Sequence, residues 1–172
     1  MDRFPERPSS ELSEEQRAVH QMIEARRGRV PAPFMPLLGS PVTADLFERL
    51  SAHLWSRLPS DVLEGVFLMM AQRMRCDYQW HTHVDKALAA GVSVEEIAVI
   101  EQGGTLERGL LGSVSCLVGA LHRGDEIPQS LFEDLKERLT EPGLVDLVVF
   151  CGNAFTVASL LKLRQPSFTA SL

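Results

Sequence analysis

Nine consecutive residues, Arg75-Cys76-Asp77-Tyr78-Gln79-Trp80-His81-Thr82-His83, concentrate a thiol, two imidazoles, two aromatics and further polar groups. At helical spacing Cys76, Gln79 and His83 stand at i, i+3 and i+7 on one face, with Trp80 and Val84 on the adjacent stripe. A single pocket could hold all three. An imidazole there offers proton transfer, because its ordinary pKa lies near neutrality. A thiol near a helix N-terminus offers a favoured thiolate, although a free cysteine is by default a small buried hydrophobe. His81 lies two residues from His83 on another face, so the H-x-H pair is not a two-ligand metal site on a regular helix, and no metal is expected. Glu64 sits among Leu63, Val66 and Phe67, where a carboxylate is either an exposed helix residue or a partly desolvated one. His20, His53 and His122 have no motif around them and read as surface or structural residues.

The elements that must carry these residues are helical. Ser13 with Gln16 is a capping-box pattern opening a helix from about Ser13 to Arg27, closed by Gly28. Four prolines, at 31, 33, 36 and 41, punctuate an apolar stretch that reads as an ordered loop pressed onto the body. Ser40 with Pro41 opens a helix whose expected inner face is Leu46, Leu50 and Leu54. After Pro59, the spacing of Leu63, Phe67, Met70 and Met74 predicts a buried helix to about Arg75, followed by another to Ala90 with Gly91 at its end. Ser93 with Glu96 is a second capping box for a short helix. Leu106 to Leu121, Pro128 to about Leu139 and Leu144 to Leu163 complete the set. No segment alternates with period two, apart from the ambiguous valine run 145 to 149, so the expected fold class is all-α.

At 172 residues the chain suits one domain, 1–172, with a polar tail at about 1–12 that resembles neither a secretion nor an import signal. A net charge of −6 spread along the chain argues against nucleic acid and anionic membrane as partners. Gly152 and Asn153 interrupt the greasiest stretch, so no membrane span is expected. Cys76, Cys116 and Cys151 stand far apart, which is no disulfide framework, and a reducing cytoplasm fits best. The segments at 106–121 and 144–163 are more apolar than a monomer surface of this size, and assembly into a homo-oligomer would bury the excess.

Cys76-x-Tyr78-x-Trp80-x-x-His83, followed by Ala87, Ala90-Gly91-Val92-Ser93 and Glu95-Glu96-Ile97, resembles the pattern of the carboxymuconolactone decarboxylase and alkylhydroperoxidase-D-like superfamily. Weaker agreement lies in Arg26-Arg27-Gly28-Arg29-Val30-Pro31-x-Pro33-Phe34 and in Gly143-Leu144-Val145-Asp146-Leu147. The resemblance implies an all-helical oligomer, a trimer or hexamer, and carries roles onto Glu64, twelve positions before Cys76, and onto His83, seven after it. Where the peroxidase branch has the second cysteine of a C-x-x-C pair, Gln79 stands, and an amide can neither form a disulfide nor leave as a thiolate. Where the decarboxylase branch has a glutamate, Gln79 keeps the reach but drops the titratable proton. Leu58-Pro59-Ser60-Asp61-Val62-Leu63-Glu64 resembles the family's L-P-x-R-L-R-E without its two arginines, so a doubly carboxylated substrate loses two partners.

By resemblance, the expected activity is that of a cofactor-independent lyase or isomerase acting by general acid/base catalysis on a small carbonyl or lactone acid. His83 is then the proton donor, Glu64 its orienting base or relay, and Cys76 a second donor. Gln79 and Tyr78 are hydrogen-bond donors to substrate oxygen, with Trp80 beside them. Two alternatives are a thiol peroxidase working through a sulfenic acid on Cys76 alone and a ligand-binding protein without catalysis.

Overall fold

The computed structural model describes residues 1–166, and the last six positions of the expected domain lie outside the described residues. Among the described residues a short 3-10 helix at Ser9–Glu11 is followed by eight α-helices: α1 Glu14–Arg27, α2 Phe34–Leu37, α3 Pro41–Trp55, α4 Ser60–Met74, α5 Asp77–Ala89, α6 Val94–Glu101, α7 Gly109–Arg123 and α8 Gln129–Arg164. There is no strand among the described residues, and the valine run 145–149 is helical.

The caps form where local sequence specifies them. The Ser13 hydroxyl accepts from the Gln16 N–H while the Gln16 side chain accepts from the Ser13 N–H, and α1 closes on Gly28 at φ 74°. Ser93 and Glu96 repeat the reciprocal pair at the start of α6. Thr140, at φ 67° and ψ 170°, breaks α8 just before Pro142, so the two helices expected there run end to end across a kink.

α4 is the hub. Every residue from Val62 to Ala71 on it is buried, and α5, α6, α7 and α8 all pack against it. A second, smaller core joins Ile23 and Val30 to Phe34, Met35, Leu37, Leu38 and Ala44. It explains why the proline-punctuated stretch is not simply a loop. Pro33 and Pro36 fall before and within the first turn of α2, where a missing N–H costs nothing, and the turn buries Phe34, Met35 and Leu37.

Three further expectations change. The buried residues of α3 are Ala44, Glu48, Ser51 and Leu54, whereas Leu46 is 56% and Leu50 41% exposed. Polar pairing sets this register: the Arg27 Nε donates to Glu48 Oε2 at 2.7 Å, and Asn153 Nδ2 donates to Ser51 Oγ at 2.8 Å. Secondly, the polar segment ahead of α1 is tied down, because the Arg3 N–H donates to the Arg164 carbonyl, the Asp2 carboxylate pairs with the Arg164 guanidinium, and Leu12 is buried. Thirdly, α8 is long and apolar enough to span a bilayer despite Gly152 and Asn153, yet half of its apolar window is buried in the body. It packs against α2, α3, α4, α5 and α7 as a core helix. Its outer face leaves Val145, Val148, Val149, Phe155 and Leu163 exposed.

Candidate functional site

A cavity of about 770 Å³ opens between α4, α5, the outer stretch of α8 and the N-terminal elements. His83 lies on its wall. Its Nδ1 meets the Glu64 carboxylate Oε2 at 2.6 Å, and both side chains are buried. Glu64 comes from α4 and His83 from α5, nineteen positions apart. They meet because the chain reverses tightly at Arg75, which is held at φ 49°. Glu64 itself is not on the cavity wall, so the imidazole stands between it and the space a ligand would fill. A carboxylate behind Nδ1 holds the proton there, orients the ring and leaves Nε2 as the nitrogen to work on the cavity side.

Packing fixes the ring as well. The His83 imidazole stacks on Phe67 at 4.2 Å and 14°. Phe67 in turn stacks on Trp55 at 5.9 Å and meets Phe150 edge-on at 5.3 Å. A histidine clamped between a carboxylate and an aromatic face loses little freedom when it reacts.

Gln79 is on the same wall but in a different role from the one expected. Its Nε2 donates to the Phe67 carbonyl at 2.9 Å, lacing α5 to α4. Its Oε1 is buried with no hydrogen-bond partner among the described residues. With the amide nitrogen committed to the backbone, what Gln79 has left is an acceptor, so a donor on the ligand side would satisfy it. Tyr78 also lines the cavity. Trp80 does not; it packs, half-buried, against the main core.

Cys76 departs furthest from expectation. It is the N-cap of α5, at φ −108° and ψ 84°, so it stands outside the helical repeat that would align it with Gln79 and His83. Its side chain joins the core and is absent from the cavity wall. Burial pushes its thiol above the ordinary value, outweighing the Gln79 N–H and the Lys162 charge that pull the other way. The expected helix-terminus thiolate is therefore overridden by desolvation. Burial pushes Cys151 up to about 12, while Cys116 is exposed. A thiol-reactive chromophore should accordingly titrate one cysteine promptly in the native protein, Cys116, and the other two only after denaturation. Prompt modification of Cys76, located by peptide mass mapping, would contradict this placement.

Several wall residues had no signal in the cysteine-histidine motif: Arg27, Arg29, Ser51, Lys86, Asn153 and Arg164. His20, read as a surface residue, also reaches the wall and lies 3.9 Å from Glu24. The usable clues were polar residues in apolar company, Asn153 within the greasiest helix above all. Among the described residues no three His, Cys, Asp or Glu side chains gather as a metal set. The His81 Nδ1 is instead 2.7 Å from the Asp77 carbonyl.

The order and packing of these helices are those of a known all-helical fold. The likeness is measured against the crystal structure of the debrominase Bmp8, a cysteine-to-alanine variant in complex with 2,3,4-tribromopyrrole. The TM-score is 0.71 at 12% identity, over 97% of this chain and 91% of that one. At that identity the likeness is one of fold alone. Residues 41–107 match the carboxymuconolactone decarboxylase family, a likeness that covers the middle of the chain. The matched stretch holds Glu64, Cys76, Gln79 and His83 but none of Arg27, Asn153 and Arg164. No curated protein matches the sequence.

Proposed function

We propose that the chain is a cofactor-independent enzyme that moves a proton on a carbonyl or lactone acid, with His83 as the acid/base and Glu64 as its positioning partner. The observation that carries this reading is the buried 2.6 Å Glu64–His83 contact with the imidazole on a cavity wall. In a decarboxylation of this kind the carbon–carbon bond to the carboxylate breaks and carbon dioxide departs. The electron pair passes into the neighbouring carbonyl as an enolate, and an imidazolium returns a proton to carbon. Glu64 stabilises that imidazolium from behind. Lys86 and Tyr78 also line the cavity, and a cation or a hydroxyl there is the kind of group that stabilises enolate oxygen charge.

The single-cysteine peroxidase alternative finds little support in a Cys76 that is buried, off the wall and raised in pKa. Trp55, Phe67 and Tyr78 on the wall favour a flat or apolar ligand body, so brominated pyrroles belong in the panel beside keto acids and lactones. The test is incubation of that panel in deuterium oxide, followed by proton NMR. Catalysed exchange or decarboxylation with deuterium at the carbon next to the carbonyl is the expected result. Saturable binding with no exchange and no turnover across the panel would replace the enzymatic reading with a binding one.

A further inference from the structure

Arg164 closes the last turn of α8 and is 7% exposed on the cavity wall. A guanidinium that deep needs a counter-charge. The body of the fold provides only a neutral acceptor: Nη1 donates to the Ala32 carbonyl at 3.0 Å. The charge comes from Asp2. Arg164 Nη2 donates to Asp2 Oδ2 at 2.7 Å, and Nε lies 3.1 and 3.0 Å from Oδ1 and Oδ2. This is the side-on fork by which an arginine takes a carboxylate. The guanidinium in turn holds the Asp2 carboxyl below its ordinary value.

The two partners are held very differently. Arg164 is anchored on a helix and fixed by the Ala32 carbonyl, whereas Asp2 rides on a segment with no regular structure before Ser9. Among the described residues that segment is held elsewhere by the Arg3 N–H on the Arg164 carbonyl and by the packing of Phe4 on the smaller core, while the Phe4 N–H donates to Asp2 Oδ1 within the segment. Arg27, by contrast, is paired with Glu48 inside the fold. Arg164 is thus the buried cation whose partner can leave without unpacking a helix.

The wall beyond the fork says what kind of acid fits. Asn153, Val157, Leu161 and Arg164 follow one another at helical spacing along the cavity side of α8. An acid seated on Arg164 meets Leu161 and Val157 before it reaches a polar group at Asn153.

We propose that Arg164 is a carboxylate-binding site of the cavity, that Asp2 occupies it as an internal carboxylate, and that an acid with an apolar body displaces Asp2 to bind there. It places the acid group that the proposed function requires, and rests on that reading only in treating the bound acid as substrate. The fork itself stands on the contacts above.

Hexanoate is the probe, titrated by calorimetry into the full chain. Asp2→Asn, which removes the internal competitor but keeps its shape, should bind hexanoate at least ~10-fold more tightly than the parent. Adding Arg164→Gln to Asp2→Asn should abolish the gain. Should that pair fail to fold, Arg164→Lys keeps the charge without the fork and is expected to lose most of the gain. In the parent chain, saturating hexanoate should accelerate tryptic cleavage after Arg3 as the segment is released. Equal affinities for the parent and Asp2→Asn overturn the proposal, as does an unchanged cleavage rate at saturation. His83→Ala separates the two readings: hexanoate binding should survive in it, whereas turnover should not.

Discussion

Replacing His83 with alanine is expected to lower kcat/KM on the substrate by about two to four orders of magnitude, the usual worth of a positioned general acid or base. The helical circular dichroism spectrum should persist, because His83 sits at the cavity wall rather than in the main core. The substitution leaves Glu64 buried without its 2.6 Å partner, so some stability is lost as well. His83→Gln, which keeps a polar side chain beside the carboxylate, separates the two effects: it should recover stability and not turnover. Glu64→Gln probes the pair from the other side. An amide can donate to Nδ1 as readily as accept from it, so the imidazole loses its fixed tautomer and the imidazolium its counter-charge. Its loss should fall mainly on kcat, with KM nearly preserved, since Glu64 does not line the cavity. Unchanged kcat/KM in either His83 variant would sink the proton-transfer reading.

Phe150→Ala is expected to cost about 3–5 kcal/mol, the range for deleting a fully buried aromatic. Phe150 is 0% exposed and meets Phe67 and Trp55 edge-on at 5.3 and 6.3 Å. The neighbours that would have to collapse into the void are rings stacked on one another and on His83, and stiff neighbours relax poorly. In a domain of this size the loss corresponds to a fall in Tm of about 6–20 °C, readable by scanning calorimetry. Val145→Ala on the same helix is the control: Val145 is 58% exposed, and its replacement should stay within about 0.5 kcal/mol. A Phe150→Ala cost below about 1 kcal/mol would show that the aromatic cluster does not hold the site. Because Phe67 also supports the imidazole, the same variant should lose activity on warming before it unfolds.

The features legible in the sequence were local ones. Two reciprocal capping boxes, the glycine that closes α1 and the proline-marked starts of α3 and α8 depend on groups within a turn of one another, so residue types at fixed offsets suffice to predict them. The all-helical class came from the 3.6-residue period. The resemblance carried Glu64 and His83 together because the reversal between α4 and α5 has a definite length, and that length is written in their spacing.

Tertiary structure decided the rest, wherever the partner of a group was distant or its environment outweighed its position. Leu46 and Leu50 face outward because Glu48 and Ser51 on the same helix found partners on α1 and α8. Hydrophobic periodicity cannot foresee a polar pair that costs less buried than broken. Cys76 has the sequence position of a reactive thiol but caps α5 from outside its repeat, and burial raises its pKa. The fork between Asp2 and Arg164 joins residues 162 positions apart. In the sequence they are an ordinary acid and an ordinary base; only the closing of the fold, which buries one and delivers the other, makes them a site.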